Sequence, residues 1–261
     1  MHRAESNLRK NIIEHCRWMN AVGINQGTSG NVSVRSGDVM LITPSGIGYD
    51  VMSPRDIRQM PIARTRDDHG APPAVSTEWR FHRAILHARP EAGAVVHTHS
   101  TYATVLAICR REIPACHYMV AAAGGPNIRV ARYATFGTQE LADNVLRALK
   151  GRTACLLANH GAVAIGRDLK QAVWLAVEIE TLARQYYLSL CIGGPRLLPD
   201  AEIERVRELF QSYGPKPRQT DSSPPKRLKR GVYPTRQSRG GSDHPDPSRR
   251  GWEARWAGRP R

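Results

Sequence analysis

Along this chain the spacing of apolar residues switches repeatedly between a helical and a strand period. Leu8, Ile12, Ile13, Cys16 and Met19 recur every three or four residues, which predicts a helix over 4–22 ended by Gly23. Val32-Ser33-Val34-Arg35 and Val39-Met40-Leu41-Ile42 read as short strands, joined into a hairpin by Ser36-Gly37-Asp38. Thr43-Pro44-Ser45-Gly46 breaks the second strand. Ser53-Pro54 offers a cap and a first-position proline for a short turn of helix. Residues 64–75 are polar and proline-bearing, the pattern of a surface loop.

Further along, 77–87 reads as a helix with Trp79, Phe81 and Ile85 among its apolar positions, 93–98 as a buried strand and 101–109 as a helix. A strand is expected at Ile128-Arg129-Val130 and a helix over 138–150, opened by Thr138 and closed by Gly151. Strands 155–158 and 162–165 lie close enough to pair antiparallel about Asn159-His160-Gly161. Helices over 169–191 and 200–213 complete the order, and the chain has no internal repeat. Hairpins mixed with helices predict an α/β fold: a three-layer α/β/α arrangement around a central, largely antiparallel sheet.

Composition changes this picture at one end. The 261 residues can bury one substantial core, and the net charge of +15 resembles a nucleic-acid signature until it is mapped. From Pro215 to Arg261 the chain carries 13 Lys/Arg against 4 Asp/Glu and 8 of its 18 prolines, with almost no apolar periodicity. We therefore expect a catalytic domain over 1–214 and a basic, disordered extension over 215–261. Lys226-Arg227-Leu228-Lys229-Arg230 could bind polyphosphate electrostatically, although a solvated extension is the simpler reading. The change of composition after Tyr213-Gly214 also fits a read-through or frameshifted ending. No run of 18 apolar residues and no apolar signal core occur, so a cytoplasmic protein without membrane contact is expected. Cys16, Cys109, Cys116, Cys155 and Cys191 are odd in number and form no CxxC pair, so reduced, mostly buried thiols are expected.

The candidate chemistry centres on histidine. His97 and His99 follow an apolar run and, two apart on a strand, share one face. His160 sits in a tight turn. Three imidazoles plus one open position form the ligand set of a catalytic zinc, but each motif alone has a plainer reading. Glu78, following Ser76-Thr77 at a helix start, is either a first-turn carboxylate favoured by the helix dipole or a general base beside a cation. Gly27-Thr28-Ser29-Gly30-Asn31, Thr43 with Ser45-Gly46, and Ser76-Thr77 are three glycine- and hydroxyl-bearing clusters suited to a phosphate. Lys10, Lys150 and Lys170 are the only lysines before the tail, and each reads as a surface charge, which argues against a Schiff-base mechanism.

Taken in order, the segments 25–35, 41–46, 76–82, 95–99 and 159–161 resemble the class II aldolase/adducin family. Pro114 to Gly125 and Tyr133 to Thr138 look most like the bacterial L-fuculose-phosphate aldolases within it, and the resemblance spans about 5–214. It implies one zinc ion per subunit on His97, His99 and His160, with Glu78 joining when substrate is absent. Glu78 would be the catalytic base. Substrate phosphate would lie among Thr28, Ser29, Gly30, Asn31, Thr43, Ser45, Gly46, Ser76 and Thr77. Tyr118 would reach a neighbouring subunit's site and handle the aldehyde oxygen, and Tyr213 would close over the pocket. The implied activity is cleavage of a ketose 1-phosphate, L-fuculose 1-phosphate first, to dihydroxyacetone phosphate and L-lactaldehyde. The implied assembly is a homotetramer with intersubunit sites. Pentulose-phosphate epimerisation, dehydration or decarboxylation at the same metal, and a non-catalytic adducin-like domain, are the alternatives.

Overall fold

The computed structural model describes residues 3–63 and 73–212, all within the unit Met1–Pro215. Seven strands form one sheet: β1 (Asn31–Ser36), β2 (Val39–Ile42), β3 (Arg58–Pro61), β4 (Ala94–Thr98), β5 (Arg129–Ala131), β6 (Ala154–Leu157) and β7 (Gly161–Gly166). Their order is β3-β2-β1-β4-β7-β6-β5, and every pairing is antiparallel except β5 with β6. Among the described residues, α1 (Arg3–Ala21), α2 (Trp79–Ala88), α3 (Thr101–Ile108), α4 (Gln139–Ala148) and α5 (Leu169–Leu190) cover it, and α6 (Asp200–Ser212) packs its Ile203 and Val206 with Ala115 and Ala121.

The central strands are buried on both faces, so their alternation is between two cores rather than between core and water. Ala94 and Val96 of β4, Leu156 of β6 and Ala164 of β7 face α1, α3 and α5. Val95, Leu157 and Val163 face α2 and α4. This is the three-layer α/β/α fold with a largely antiparallel sheet that the sequence predicts. Helix starts are held by side chains at the expected places. Thr138 accepts from Leu141 N at 3.2 Å, and Asp168 from Gln171 N at 2.8 Å.

The structure departs from the sequence reading at several places. Ser53-Pro54 opens a turn, not a helix: the Asp56 carboxylate accepts from Ser53 N at 2.8 Å and from Ser53 Oγ at 2.7 Å and so closes the chain locally. β3 has no sequence signal, because Arg-Gln-Met-Pro lacks alternation and an edge strand pairs on one side only, where Pro61 is tolerated. The run Tyr118–Ala123 forms a 3-10 turn ended by Gly124 at φ +89°. Helix α2 begins at Trp79 rather than Thr77, because Trp79 N donates to Ser76 O and closes a turn first. The thiols are less buried than expected: Cys16 and Cys155 are buried, but Cys109 and Cys191 are exposed. Of the expected loop over 64–75, residues 64–72 lie outside the described residues, as do Tyr213 and the whole of 215–261. Among the described residues no helix is long and apolar enough to cross a membrane.

Candidate active site and metal centre

Antiparallel topology brings the start of β1, the end of β4 and the β6–β7 turn to one end of the sheet. Asn31 on β1 and Val163 on β7 lie directly opposite His97 on β4. His97 is fully buried on the side facing α2, with the edge of Phe81 at 5.6 Å between ring centroids. His99 follows one residue past the strand. His160 is delivered by the turn into β7, where Asn159 adopts φ +54°, a left-handed conformation that asparagine tolerates. Gly161 follows because a Cβ there would stand 2.3 Å from the Thr98 carbonyl oxygen.

The three rings form a triangle, with centroids 4.8, 4.8 and 5.0 Å apart. His97 Nε2 and His99 Nε2 are 3.0 Å apart. Glu78 caps the open side: Oε2 is 3.2 Å from His97 Nε2, and Oε1 is 3.3 Å from His160 Nε2. One ligand atom from each of the four residues lies within 4.8 Å of the others. Glu78 stands at the N-cap of α2, but its carboxylate makes no cap hydrogen bond and is turned to the imidazoles.

The donor set fits a divalent metal. His97 Nδ1 lies 2.9 Å from the Ala162 carbonyl oxygen, to which it donates, so Nε2 is the nitrogen that faces the cluster. Burial first, then the charge of His97, pulls His99 and His160 down to about 4, so both are neutral ligands near pH 7. Burial opposes ionisation of Glu78. The imidazoles of His97 and His160 and the Asn31 amide outweigh it and hold the carboxyl well below the usual carboxylate range. Glu78 Oε1 is buried without a hydrogen-bond donor, an acceptor that a cation would satisfy. Three nitrogens and a carboxylate oxygen around one point suit zinc-like coordination.

A cavity of about 340 Å³ opens beside this cluster. Its wall includes Thr28, Ser29, Gly30, Asn31, Ser45, Gly46, Ser76 and Thr77, so all three hydroxyl clusters converge beside Glu78, His99 and His160. Thr43 does not line it: it is buried, and its Oγ1 accepts from Val32 N at 3.2 Å. The 28–31 loop is pinned from below by Tyr49, whose hydroxyl donates to Gly30 O at 3.0 Å and Ser29 O at 3.3 Å. Gly30 has φ +72°, and a Cβ there would lie 2.5 Å from the His97 carbonyl oxygen, so the close approach of loop and strand requires glycine.

Tyr133, Phe136 and Asn159 also line the cavity, although the sequence pattern assigns them no role. Spacing could not find them, because they come from loops whose path is set by tertiary packing. Tyr118 does not line its own chain's cavity; it is half exposed and stacked on His117 at 4.7 Å. Lys10, Lys150 and Lys170 are exposed, and none of them faces the cavity.

Residues 10–187 match the family model for the Class II Aldolase and Adducin N-terminal domain. The chain is 52% identical over 207 residues to a 5-methylthioribulose-1-phosphate/5-deoxyribulose-1-phosphate aldolase of Rhodospirillum rubrum, covering 79% of this chain and 92% of that one. It is 48% identical over 208 residues to the L-fuculose phosphate aldolase of Escherichia coli, covering 79% and 95%. Among solved structures, an L-fuculose 1-phosphate aldolase superposes with a TM-score of 0.74 at 39% identity, covering 79% of this chain and 97% of that one. The histidine triad, its carboxylate and this likeness across most of the chain lead to one conclusion: the protein belongs to the class II aldolase and adducin family, and it is a class II aldolase, a metal-dependent carbon–carbon lyase.

Proposed function

We propose that this aldolase cleaves a deoxyketose 1-phosphate between C3 and C4, releasing dihydroxyacetone phosphate and a small aldehyde. The observation that carries the proposal is the single cavity wall that joins a hydroxyl-rich loop set to Glu78, His99 and His160. The phosphate would sit against the Thr28–Asn31 loop, Ser45-Gly46 and Ser76-Thr77, with Thr43 supporting the loop from behind. That remote contact fixes the register of C3 relative to Glu78. The metal, zinc in this proposal, would be held by His97, His99 and His160, with Glu78 before substrate enters, and would supply Lewis acidity for negative charge developing on the ketose oxygens.

In the synthesis direction Glu78 takes the C3 proton of dihydroxyacetone phosphate; in cleavage it returns that proton to C3. Its position beside His97 and His160 keeps it ionised, the state in which it can accept a proton. The phenol of Tyr118 from a neighbouring subunit would donate a proton to the C4 oxygen in synthesis and take it back in cleavage. Its half-exposed position outside its own cavity leaves it available to a neighbour, in the homotetramer with intersubunit sites that the proposal adopts. Tyr213 would close the pocket, and the 215–261 segment would be a basic extension beyond the catalytic domain. Tyr133 and Phe136 border the cavity with aromatic surface suited to the apolar end of the aldehyde.

The resemblance over 114–125 and 133–138 favours L-fuculose 1-phosphate as substrate. The relative named for 5-methylthioribulose 1-phosphate and 5-deoxyribulose 1-phosphate, at 52% identity, supports those pentuloses as the second reading. A panel of these three phosphates, assayed for dihydroxyacetone phosphate release with and without chelator, tests the proposal. Chelator-sensitive release from one of them is expected. Turnover of all three without release of dihydroxyacetone phosphate would overturn it in favour of an epimerase or dehydratase.

A further inference from the structure

Behind Glu78, a line of hydrogen-bonded side chains runs from the metal cluster into the core. Glu78 Oε2 accepts from Asn31 Nδ2 at 2.9 Å. Asn31 Oδ1 is in close contact with His82 Nε2, and His82 Nδ1 lies 2.7 Å from Ser33 Oγ. His82 and Ser33 are fully enclosed, and Asn31 is 5% exposed. The geometry follows from strand and helix periods. Asn31 and Ser33, two apart on β1, share the face on which α2 places His82. Phe81 stacks beside the ring with centroids 4.6 Å apart.

The direction of each bond is forced. An ionised carboxylate only accepts, so Asn31 turns its nitrogen to Glu78 and its oxygen to His82. That oxygen also only accepts, so His82 carries its proton on Nε2. Burial, reinforced by the charge of His97, pushes His82 down to about 3 and keeps the ring neutral, so Nδ1 accepts from the Ser33 hydroxyl. Three donors in series therefore end on one oxygen of Glu78. Without His82, the Asn31 oxygen would lose the donor that holds it away from the carboxylate.

We propose that His82 is a positioning residue: by donating to Asn31 Oδ1 it fixes the asparagine amide and so aims the Glu78 carboxylate at the metal cluster and the reacting carbon. This rests on Glu78 being the base, as proposed above. Gln at position 82 can place an N–H where Nε2 lies, whereas Asn reaches only to the place of Nδ1, so H82Q and H82N are both polar but differ in the one bond at issue.

The test measures Co²⁺ affinity of each full-length variant by visible absorption, together with kcat and KM for the best phosphate of the panel. H82N should bind Co²⁺ about 10–100-fold more weakly and lose a similar factor in kcat at little-changed KM, and H82Q should recover most of both. Equal impairment of H82Q and H82N, or wild-type behaviour of H82N, overturns the inference. If H82N does not fold, S33A decides: it frees the His82 tautomer and should weaken Co²⁺ binding and kcat together, while wild-type values refute the series. E78Q separates the two ideas. Full turnover in E78Q removes the base assignment whatever His82 does, whereas a dead E78Q beside an unimpaired H82N removes only the role of His82.

Discussion

Gly161→Ala isolates the packing on which the metal centre depends. The added Cβ would stand 2.3 Å from the Thr98 carbonyl oxygen, 3.0 Å from His99 Cδ2 and 3.3 Å from His97 Cε1. An ordinary carbon–oxygen contact is about 3.3–3.6 Å, so the overlap with Thr98 is about 1 Å. The obstacle is backbone, held in a ladder in which Thr98 lies opposite Ala162. Relief means prising β4 from β7 where Ala162 O accepts from His97 Nδ1. Overpacking of this kind costs about 1–3 kcal/mol, which in a domain of this size lowers Tm by about 2–4 °C per kcal/mol. Displacing the His97 ring and its carbonyl partner should weaken metal binding about 10–100-fold. Thermal unfolding of chelated protein reads the first effect, and Co²⁺ titration the second. Gly48→Ala is the control, because nothing lies within 4 Å of its added carbon, and it should stay within about 0.5 kcal/mol of wild type. If Gly161→Ala matched Gly48→Ala in both measurements, the packing argument would be refuted.

Other perturbations separate the roles. Glu78→Gln should still take up metal on its three imidazoles at saturating concentration, with an affinity lowered at least as much as in H82N, and lose turnover by about 10²–10⁴-fold, whereas His97→Ala should lose metal by elemental analysis. Subunits carrying Glu78→Gln, mixed with subunits carrying Tyr118→Phe, should regain activity that neither has alone if Tyr118 serves a neighbour's site; no complementation would place each site within one chain. His82 is pushed down to about 3 by burial, so its folded form binds a proton less readily than its unfolded form. Its share of stability is full above about pH 6.5 and is lost as pH falls towards 3, at about 1.4 kcal/mol per pH unit, so chelated wild type should lose stability on acidification more steeply than H82Q. Glu180 accepts from both Tyr102 N and Ala103 N at 2.9 Å at the start of α3, and Glu180→Ala should cost about 1 kcal/mol in denaturant unfolding.

Much of the architecture is local information. Strand β4 reads as continuous apolar sequence because both its faces are covered, and the caps at Thr138 and Asp168 act within three residues of themselves. Strand β3 was not legible, since an edge strand needs no alternation when one partner, β2, supplies its order. The histidine triad was legible because residues two apart in extended chain share a face, which holds although His99 lies one residue past β4, and because Asn-His-Gly fixes a turn. Glu78 was ambiguous. A carboxylate at a helix start looks the same from the sequence whether it serves the helix or an imidazole cluster 3.2 Å away.

The chain by itself determined which residues could bind a metal and a phosphate, since that depends on side-chain chemistry and short-range period. Tertiary structure decided which of them meet. Residues 31, 78, 97 and 160 are far apart in sequence, and only the antiparallel strand order puts the start of β1, the end of β4 and the turn into β7 at one end of the sheet. It also turned Thr43 inward, left Tyr118 outside its own chain's cavity, and brought His82 against Asn31 behind Glu78. The physical reason is that hydrogen-bond direction and burial are properties of neighbours across space, which a one-dimensional pattern does not contain.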